Sequence, residues 1–477
     1  MKKLTILQIN DSHSYLEPHP EVFYEASGLE IRNTGGYARI AALAEKFREE
    51  ANGNLLFLDN GDTFHGTYEA VTSEGESMLP VLNLLGLNAM TFHWDIAYGP
   101  KRLLELSEKL TYPILAGNVF EKDTNKLFRQ PYIVKEINDL KIGIIGLASN
   151  IIDKTMPPKF SEGLYFTMGD QELPRYIQEL KDQGADLILL LSHLGYPQDV
   201  KILEKVSGID VCISGHTHNR IDRLENVNGA IIMQSGSHGS FLGKLDLTVN
   251  ENGIAQAAHE LVTVHEDLAE SQAMKKVIEA IMEPHREKLD VPVGETAVML
   301  HRGTGLESPM DNLLLKALLN ATGAQMAFSN GWRYGVPIRP GSITLRDLYH
   351  IIPVNPKVST VTITGRELWD MLEENLENTY AKEAFDQMGG YVKRAMGIKA
   401  YIKIENNKGM RIQKLFAAGE AVQLEKAYQA VFVTEQGVPS KYGTDRKNLE
   451  ISAIEALKNY LKQETFHLAD TGSFVVV

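Results

Sequence analysis

Short apolar runs alternate with helix-like segments along the first half of the chain. The apolar runs have the length and polar ends of buried strands, and they cover residues 4–9, 55–58, 186–191 and 211–213. Between them, apolar residues recur at helical spacing in residues 35–47, 77–85 and 174–180. This alternation predicts an α/β layered domain that extends to about residue 262. Its last predicted strand covers residues 244–249, before an Asn-Glu-Asn-Gly turn.

A charged amphipathic segment follows this region. Between residues 266 and 290 the apolar side chains form one helical stripe, which comprises Met274, Val277, Ile278, Ile281 and Met282. Beyond it, residues 312–321 and 366–378 predict helices within a strand-rich region. The sequence therefore predicts a second domain from about residue 291, and 477 residues are indeed too many for one ordinary core.

The four apolar runs at residues 4–9, 55–58, 186–191 and 211–213 each deliver carboxylate or imidazole side chains at their carboxyl ends. In open α/β sheets reactive groups collect beyond these ends, so we expect the side chains to share one site. Carboxylate and imidazole ligands suit Mn, Fe, Zn or Co, and one carboxylate is able to bridge two ions about 3.5–4 Å apart. The residues at the strand ends are Asp11, His13, Asp62, His193, His216 and His218.

The composition describes a globular protein with an acidic excess. The chain is 43% hydrophobic and 23% charged, and its formal net charge is −14. This charge disfavours a surface for nucleic acid polymers or anionic membranes. The single cysteine, Cys212, lies in an apolar run, where we expect a buried and unreactive thiol. No run reaches the roughly 18–20 apolar residues of a membrane helix, and the first run is too short for a signal peptide, so we expect a cytoplasmic protein.

The motifs at the strand ends, in their order, resemble those of calcineurin-like metallophosphoesterases. The matching residues are Asp11-x-His13, Gly61-Asp62, His193 and Gly215-His-Thr-His218. In the second half, residues 304–312, 329–333 and 340–344 resemble motifs of the 5′-nucleotidase family. The resemblance implies a four-layer α/β/β/α metallophosphoesterase domain at residues 1–265, an interdomain helix at 266–290 and an α+β 5′-nucleotidase-like, substrate-binding domain at 291–477.

The resemblance also implies a pair of divalent metal ions. Manganese is the expected metal, and zinc, iron and cobalt are the alternatives. One ion is expected to be held, or bridged to the other, by Asp11, His13, Asp62 and His218. The second ion is expected to be completed by His93, His193 and His216.

The same resemblance assigns further roles near the ions. The expected catalytic residues are Asp62, His93 and Asp95. His65 and His238 lie beside the motifs, and we expect them behind the ligands or facing the substrate, with plain loop residues as the alternative.

One motif departs from the family pattern. Where the family has Gly-Asn-His-Glu, this chain has Phe92-His93-Trp94-Asp95. His93 takes the place of the metal-binding Asn, and Trp94 takes the place of the His that supports the transition state in the family. An indole donates a hydrogen bond but does not shuttle a proton, so the usual acid is missing. A related branch, the thiosulfohydrolases of bacterial sulfur oxidation, has Gly-His-Trp-Glu here.

Four residues are candidates for substrate binding. Arg333 and Arg394 are expected to bind substrate oxyanions, because a guanidinium binds phosphate or sulfonate through two hydrogen bonds. A salt bridge within the second domain is the alternative for both. Tyr391 is the candidate for stacking on a base, with ordinary packing as the alternative. Asn118 follows the predicted strand at 113–116, and we expect it to orient the substrate or to form a turn.

Three functions follow from these expectations. The leading hypothesis is a dinuclear-metal-dependent phosphoesterase that hydrolyses nucleotides or related small phosphate esters by attack of metal-held hydroxide on phosphorus. The second, motivated by His93-Trp94 and Arg394, is thiosulfohydrolase-like release of sulfate from a sulfur adduct on a carrier protein. The third is a non-catalytic nucleotide- or metal-binding protein. The leading hypothesis expects a small phosphate ester as partner, and neither nucleic acid polymer nor membrane.

Overall fold

A computed structural model describes residues 1–468 and 472–477 of the chain. Numbered in chain order, its strands are β1 (Lys2–Ile9), β2 (His19–Glu25), β3 (Gly28–Thr34), β4 (Leu55–Asp59), β5 (Ala89–Met90), β6 (Val119–Glu121), β7 (Tyr132–Ile137), β8 (Leu140–Leu147), β9 (Leu164–Phe166), β10 (Leu187–Ser192), β11 (Val211–Ser214), β12 (Glu225–Val227), β13 (Ala230–Met233), β14 (Phe241–Asn250), β15 (Gly253–Thr263), β16 (Pro292–Thr296), β17 (Met326–Gly331), β18 (Gly341–Thr344), β19 (Lys357–Thr364), β20 (Tyr391–Met396), β21 (Ile398–Ile402), β22 (Ile412–Ala417), β23 (Glu420–Ala421), β24 (Ala427–Phe432), β25 (Thr444–Ser452) and β26 (Phe474–Val476).

The helices alternate with these strands. They are α1 (Tyr37–Glu50), α2 (Tyr68–Thr72), α3 (Leu79–Leu85), α4 (Pro100–Lys109), α5 (Ile152–Thr155), α6 (Leu173–Asp182), α7 (Tyr196–Lys205), α8 (Gln272–Leu289), α9 (Pro309–Thr322), α10 (Leu345–Ile351), α11 (Gly365–Tyr380), α12 (Thr434–Gly437) and α13 (Ala453–Leu461). Short 3-10 helices cover Glu76–Met78, Trp94–Ile96, Pro158–Ser161 and Ala384–Asp386.

The chain divides into two compact units. The first comprises Met1–His19 and Asn33–Pro284, and the second comprises Pro20–Arg32 and His285–Val477. The β2–β3 hairpin therefore groups with the second unit, whereas the sequence placed all of residues 1–265 in one domain. Apolar periodicity indicates which face of a segment is buried, but it does not specify which of two cores buries that face.

Two sheets pack face to face in the first unit. One has the strand order β15-β14-β1-β4-β5, and the other has the order β12-β13-β11-β10-β8-β7. Side chains alternate along each strand, so β1 turns Leu4 and Ile6 toward the other sheet and Leu7 and Ile9 toward the helices. The apolar layer between the sheets also contains residues of β10 and β11, among them Leu189.

Helices cover the outer faces of both sheets. The buried side of α1, including Ile40 and Phe47, shares a core with Leu7 of β1. On the other sheet, Leu180 of α6 packs so closely on Gly143 of β8 that a Cβ atom at Gly143 would lie 2.6 Å from it. The unit therefore has four layers, α/β/β/α, and the fold predicted for the first domain is confirmed.

The second unit is an α+β assembly. Its main sheet has the order β20-β17-β24-β19-β25, and a second sheet has the order β23-β22-β21-β26. Helix α11 begins with a capping box, in which the Thr364 side chain accepts from the Glu367 N–H and Glu367 binds the Thr364 N–H. Its apolar face, including Leu368 and Leu372, shares a core with Phe328 of β17. The α+β class predicted for the second domain is also confirmed.

Candidate metal centre

Seven polar residues meet at the carboxyl ends of parallel strands in the first unit. Strands β1 and β4 run parallel in one sheet, as β10 and β11 do in the other, and the loops that follow them converge. The ligand atoms form two groups, and within each group they lie within 4.8 Å of one another. One group is Asp62, His93, His193 and His216, and the other is Asp11, His13 and His218. The structure thus brings together all seven ligand candidates from the sequence.

Asp62 lies between the two groups. Its Oδ2 atom is 3.3 Å from His93 Nδ1, 3.4 Å from His193 Nε2 and 3.7 Å from His13 Nε2. One carboxylate oxygen therefore reaches imidazoles of both groups, which is the position of a ligand that bridges two ions. The backbone N–H of Trp94 donates to Oδ1 at 2.7 Å and fixes the orientation of the carboxylate.

Asp11 makes a second connection between the groups. Its Oδ1 atom is 3.3 Å from His218 Nε2 and 3.6 Å from His193 Nε2. Its Oδ2 atom accepts hydrogen bonds from Asn10 Nδ2 at 2.7 Å and from the His216 N–H at 2.9 Å. The carboxylate is thus held by neighbouring amides while one oxygen faces the imidazoles.

Two imidazoles are held in the tautomer that a metal ligand requires. His13 Nδ1 lies 3.1 Å from the carbonyl oxygen of His65, and His193 Nδ1 lies 2.6 Å from that of Asn60. A carbonyl oxygen only accepts, so each Nδ1 carries a proton, and Nε2 is the nitrogen left to bind a cation. Both Nε2 atoms face Asp62. A carbonyl behind an imidazole in this way is a common support for metal-binding histidines.

The donor set fits cations better than it fits a hydrogen-bond network. His13 Nε2 and His218 Nε2 face each other at 3.4 Å. Among the residues that the structure describes, the buried Nε2 atoms of His93 and His193 have no hydrogen-bond partner. Lone pairs and carboxylate oxygens that converge in a buried space repel one another unless positive charge lies among them. The residues present therefore fit two divalent cations of the kind that carboxylates and imidazoles bind.

The pKa values of the ligand candidates also favour a site that binds cations. Burial opposes ionisation of Asp62, yet the adjacent His93 and His193 hold the pKa of its carboxyl well below the usual range. Burial by itself would lower the pKa of His193, but the carboxylates of Asp62 and Asp11 outweigh it and raise the pKa to about 10. By contrast, burial lowers the pKa of His13 to about 3. The carboxylates thus attract positive charge, while His13 stays neutral and able to bind a metal.

The ligand loops adopt a backbone conformation that non-glycine residues rarely adopt. Five of the seven ligand candidates have a positive φ: Asp11 at 50°, His13 at 49°, Asp62 at 57°, His216 at 71° and His218 at 58°. Each such residue costs about 1–3 kcal/mol, and it keeps this conformation only where the surrounding structure enforces it. Strain of this kind is concentrated at functional sites, and these loops are held by contacts with both sheets.

Asn60 is the residue that ties the two sheets together at the site. Its Nδ2 group donates to the carbonyl oxygens of Ser192 and Ile213, at the ends of β10 and β11. Its Oδ1 atom accepts from Gln8 Nε2 at 2.7 Å. The loop that carries Asp62 is thereby fixed against the loops that carry His193 and His216.

Asp95 does not have the catalytic position that the resemblance implied. Its carboxylate is buried, and it accepts backbone hydrogen bonds at 2.8 Å from Asp62, Thr63 and Phe64 and at 3.1 Å from His93. Both oxygens are therefore used to hold ligand loops. The catalytic prediction for Asp95 is corrected to a supporting one, because a carboxylate occupied by amides is not available to the substrate.

The remaining candidates of the first unit surround the ligands. The Trp94 indole stacks on the buried His65 ring, with ring centroids 4.9 Å apart. The His238 ring lies edge-on to His218 at 5.8 Å, and its backbone N–H donates to the Asp11 carbonyl at 2.8 Å. His65 and His238 therefore lie behind or beside the ligands, which is one of the placements predicted for them.

Asn118 is a turn residue in the structure. Its Nδ2 group donates to the carbonyl oxygens of Ala148 and Thr167, and its Oδ1 atom accepts from the Ala148 N–H at 2.9 Å. Its side chain is buried, and backbone groups occupy both ends of it. The structure therefore shows the second role expected for Asn118, turn formation, and its substrate-binding role stays a prediction.

The two candidate arginines of the second unit differ in environment. Arg394 is buried; it pairs with Asp311 at 3.0 Å and donates to the carbonyls of Thr304 and Gly305. Its predicted role in binding oxyanions is corrected to the alternative, a salt bridge within the domain. Arg333 is half-buried and lies over the Tyr391 ring, with 5.0 Å from Cζ to the ring centroid.

The residues that support the centre were visible in the sequence to different degrees. Asn60 stands inside the Asp-Asn-Gly-Asp motif, so its place at a strand end was visible. Asp199 on α7 binds Ser192 and Ser214 but carries no motif. In the second unit, likewise, Asp311 lies within a recognised segment without any sign of its ion pairs. Long-range partners of this kind are not encoded in local spacing.

Two known protein families match the chain, one in each part and in the order that the sequence motifs predicted. Residues 4–220 match the calcineurin-like phosphoesterase family, and residues 289–434 match the 5′-nucleotidase C-terminal domain. The chain is similar to the trifunctional nucleotide phosphoesterase YfkN of Bacillus subtilis, at 24% identity over 86% of this chain, but it spans only 30% of that protein's length. It is also similar to UshA of Escherichia coli, at 24% identity over 78% of this chain and 76% of UshA.

Solved structures share the fold over the whole chain. The sulfate thiohydrolase SoxB of Thermus thermophilus, solved with glycerol, has a TM-score of 0.93 and 22% identity, covering 99% of this chain and 96% of SoxB. A 5′-nucleotidase precursor, also from Thermus thermophilus, has a TM-score of 0.86 and 22% identity, covering 100% of this chain and 99% of the precursor. At this identity the likeness establishes the fold.

Across residues 1–468 and 472–477, no helix combines the length and the apolar character that crossing a membrane requires. The relatives of similar sequence include a nucleotide phosphoesterase and the 5′-nucleotidase of Bos taurus, the latter at 25% identity over 90% of this chain and 82% of that protein. The chain therefore has a calcineurin-like phosphoesterase domain followed by a 5′-nucleotidase C-terminal domain, and metallophosphoesterases of this kind are hydrolases.

Proposed function

We propose that this protein is a dinuclear-metal-dependent phosphoesterase that hydrolyses nucleotides or related small phosphate esters. The observation that carries the proposal is the position of Asp62 Oδ2, which reaches His93, His193 and His13 in the two ligand groups. Two divalent cations bound there would supply the charge that activates water and neutralises phosphate oxygens. The relatives named nucleotidases and nucleotide phosphoesterases support this class of substrate.

The residues of the chain have separate tasks in this proposal. Asp62 and Asp11 provide the negative charge that holds the cations, and the backbone groups around them keep their oxygens aimed inward. His13 and His193 present lone pairs, because carbonyl oxygens hold their Nδ1 protons. Arg333 and Tyr391 remain candidate substrate-binding residues of the second unit, since both are half-buried and their side chains stack. Manganese as the metal and a cytoplasmic location stay predictions.

Trp94 is the observation that favours a second candidate function, release of sulfate from a sulfur adduct. Its indole lies beside the ligands, stacked on His65 and edge-on to Phe160 at 5.9 Å. An indole neither accepts nor shuttles a proton, so a substrate whose leaving group needs no protonation suits this site. SoxB, the sulfate thiohydrolase with the same fold, makes a sulfonated thiol the obvious alternative substrate.

A substrate panel separates these functions. Purified protein is freed of metal, reloaded with Mn²⁺, and assayed for phosphate release from nucleoside mono-, di- and triphosphates and phosphodiesters, and for sulfate release from S-sulfocysteine and a sulfonated thiol peptide. Phosphate release from any nucleotide supports the proposal. Sulfate release without phosphate release replaces it with the second function, and tight nucleotide binding without turnover replaces it with a non-catalytic one.

A further inference from the structure

A buried carboxylate that is not a ligand joins two ligand loops at the ends of β10 and β11. Asp199 lies on α7, and its Oδ1 atom accepts from the Ser192 hydroxyl at 2.6 Å. Its Oδ2 atom accepts from the Ser214 hydroxyl, also at 2.6 Å. Ser192 directly precedes His193, and Ser214 directly precedes the Gly-His-Thr-His motif. Asp199 therefore connects the starting points of both histidine loops of this sheet.

The other sheet has an equivalent connection. Asp95 Oδ2 accepts from the N–H groups of Asp62 and His93, and its Oδ1 atom accepts from those of Thr63 and Phe64. One carboxylate thereby binds the loop after β4, which carries Asp62, and the loop after β5, which carries His93. Asp95 is entirely buried, as Asp199 is.

We infer that Asp95 and Asp199 are positioning residues, each of which fixes the spacing of two metal-ligand loops, one pair in each sheet. The inference rests on the metal centre proposed above. Asp62 and His216 hold a strained positive φ, and strained loops keep their geometry only where the surroundings enforce it. The ladder between β10 and β11 ends at the Ser192–Ser214 pair, so Asp199 connects the two chains at the point where backbone pairing stops and the ligand loops begin.

The two connections differ in a way that makes them testable. Asp95 faces four backbone N–H groups, which always donate. An amide nitrogen in place of either oxygen would point a donor at other donors. Asp199 faces hydroxyl groups, which both donate and accept, so an asparagine there is able to keep both hydrogen bonds. The same Asp→Asn change should therefore be severe at position 95 and mild at position 199.

The experiment measures Mn²⁺ affinity of the full-length protein by titration calorimetry, with an unfolding curve for every variant. Asp95→Asn is expected to weaken binding by about 10–100-fold, the usual effect of losing support behind metal ligands. Asp199→Asn is expected to change the dissociation constant less than about threefold, whereas Asp199→Val, which cannot bind the serines, is expected to weaken binding by about 10–100-fold. The comparison of Asp199→Asn with Asp199→Val tests the inference even if Asp95→Asn fails to fold.

Asp210→Val is the matched control. The Asp210 carboxylate accepts from the Ile188 N–H at 2.7 Å, so it joins the same two strands at the end remote from the ligands. Valine cannot accept this hydrogen bond, so the variant is expected to lower the unfolding midpoint and leave the Mn²⁺ dissociation constant unchanged. Equal losses of affinity in Asp210→Val and Asp199→Val would reduce Asp199 to a stabilising residue and overturn the inference.

The outcomes also separate this inference from the proposed function. Wild-type affinity in folded Asp95→Asn and Asp199→Val overturns the positioning role, whatever the protein hydrolyses. A wild-type protein that binds two Mn²⁺ ions but releases no phosphate overturns the proposed function and leaves the positioning role standing. The expected activity pattern is a loss of kcat that high Mn²⁺ restores, because the variants weaken metal binding and do not touch the substrate.

Discussion

Each unit buries a cluster of charged side chains. In the first unit the polar atoms of the cluster converge on one another, whereas in the second unit they pair with groups of opposite charge. In the first unit, carboxylate oxygens and imidazole nitrogens converge on shared points, with His13 Nε2 and His218 Nε2 only 3.4 Å apart. In the second unit, Asp311 pairs with Arg302 and Arg394, each through a contact of 3.0 Å. Further guanidinium N–H groups donate to the backbone carbonyls of Tyr334, Ile351, Thr304 and Gly305.

The difference shows how to distinguish a binding centre from a structural ion cluster. In the arginine cluster the two guanidinium groups face the Asp311 carboxylate and backbone carbonyl oxygens, so positive charge meets negative charge within the chain. The metal-ligand candidates are mostly acceptors facing acceptors, so their charge balance requires a cation. Judged by burial and charge alone, both clusters would be taken for binding sites. The sequence-based prediction for Arg394 made that assumption.

Removal of Asp62 is expected to have the largest effect. Asp62→Ala takes away the oxygen that lies within 3.7 Å of three imidazoles in the two ligand groups, so we expect metal occupancy to fall and turnover to drop by at least about 10³-fold, or several kcal/mol of barrier. Metal analysis after gel filtration and a phosphate-release assay measure the two effects. Retained activity with two bound ions would remove Asp62 from its bridging position.

Removal of Asp311 is expected to lower the stability of the protein and to leave metal binding unchanged. Asp311→Ala leaves Arg302 and Arg394 buried without their carboxylate, and breaking a buried pair in this way costs about 3–5 kcal/mol. Denaturant unfolding followed by metal analysis measures this, with Asp290→Ala, which removes an exposed partner of Arg346, as the control at less than about 1 kcal/mol. Loss of bound metal in folded Asp311→Ala would show that the clusters are not independent.

A buried lysine in the second unit, Lys393, is expected to make the stability of the protein depend on pH. Burial lowers the pKa of Lys393 to about 8, against 10.5 for an exposed lysine, and its Nζ donates to the carbonyls of Gln436 and Gly437. The unfolded chain binds the proton more tightly, so stability rises from pH 8 to 10.5 and is lost as pH falls through that window. The full effect is about 3 kcal/mol.

The measurement compares wild type with Lys393→Met in denaturant at about pH 8 and about pH 10. The wild type should gain stability relative to the variant as the pH increases, because the variant lacks the titrating group. Lys403→Met, which changes an exposed lysine, serves as the control. A parallel response in wild type and Lys393→Met would mean that Lys393 keeps an ordinary pKa.

The smallest expected effect concerns Arg333, whose guanidinium stacks on Tyr391 and donates to the Gly390 carbonyl at 3.0 Å. If it binds a substrate oxyanion, Arg333→Ala should raise KM about tenfold, or about 1.4 kcal/mol, with kcat and metal content nearly unchanged. Arg366→Ala, at an exposed ion pair with Glu425, is the control. An unchanged KM would place Arg333 with Arg394 among structural residues.

The pattern of apolar and polar residues predicted the features that depend on residues close together in the sequence. The apolar run before Asp11 and His13 was sufficient to place both residues at the end of β1, and the strands before Asp62, His193 and His216 followed the same rule. His93, after the two-residue strand β5, was identified only through the family resemblance. The grouping of Pro20–Arg32 with the second unit was not predictable, because periodicity does not say which core receives a hairpin. The roles of Asp95 and Arg394 depend on partners that only the folded chain brings near, and both sequence-based assignments needed correction.

The central claim is that the seven residues hold two divalent ions joined by Asp62. The direct measurement is a titration of metal-free protein with Mn²⁺, followed by calorimetry and by the electron paramagnetic resonance spectrum. Two equivalents per chain with a spectrum of coupled ions, as expected for ions about 3.5–4 Å apart, are the predicted result. Binding of one equivalent or none, or two ions with independent spectra, would contradict the claim.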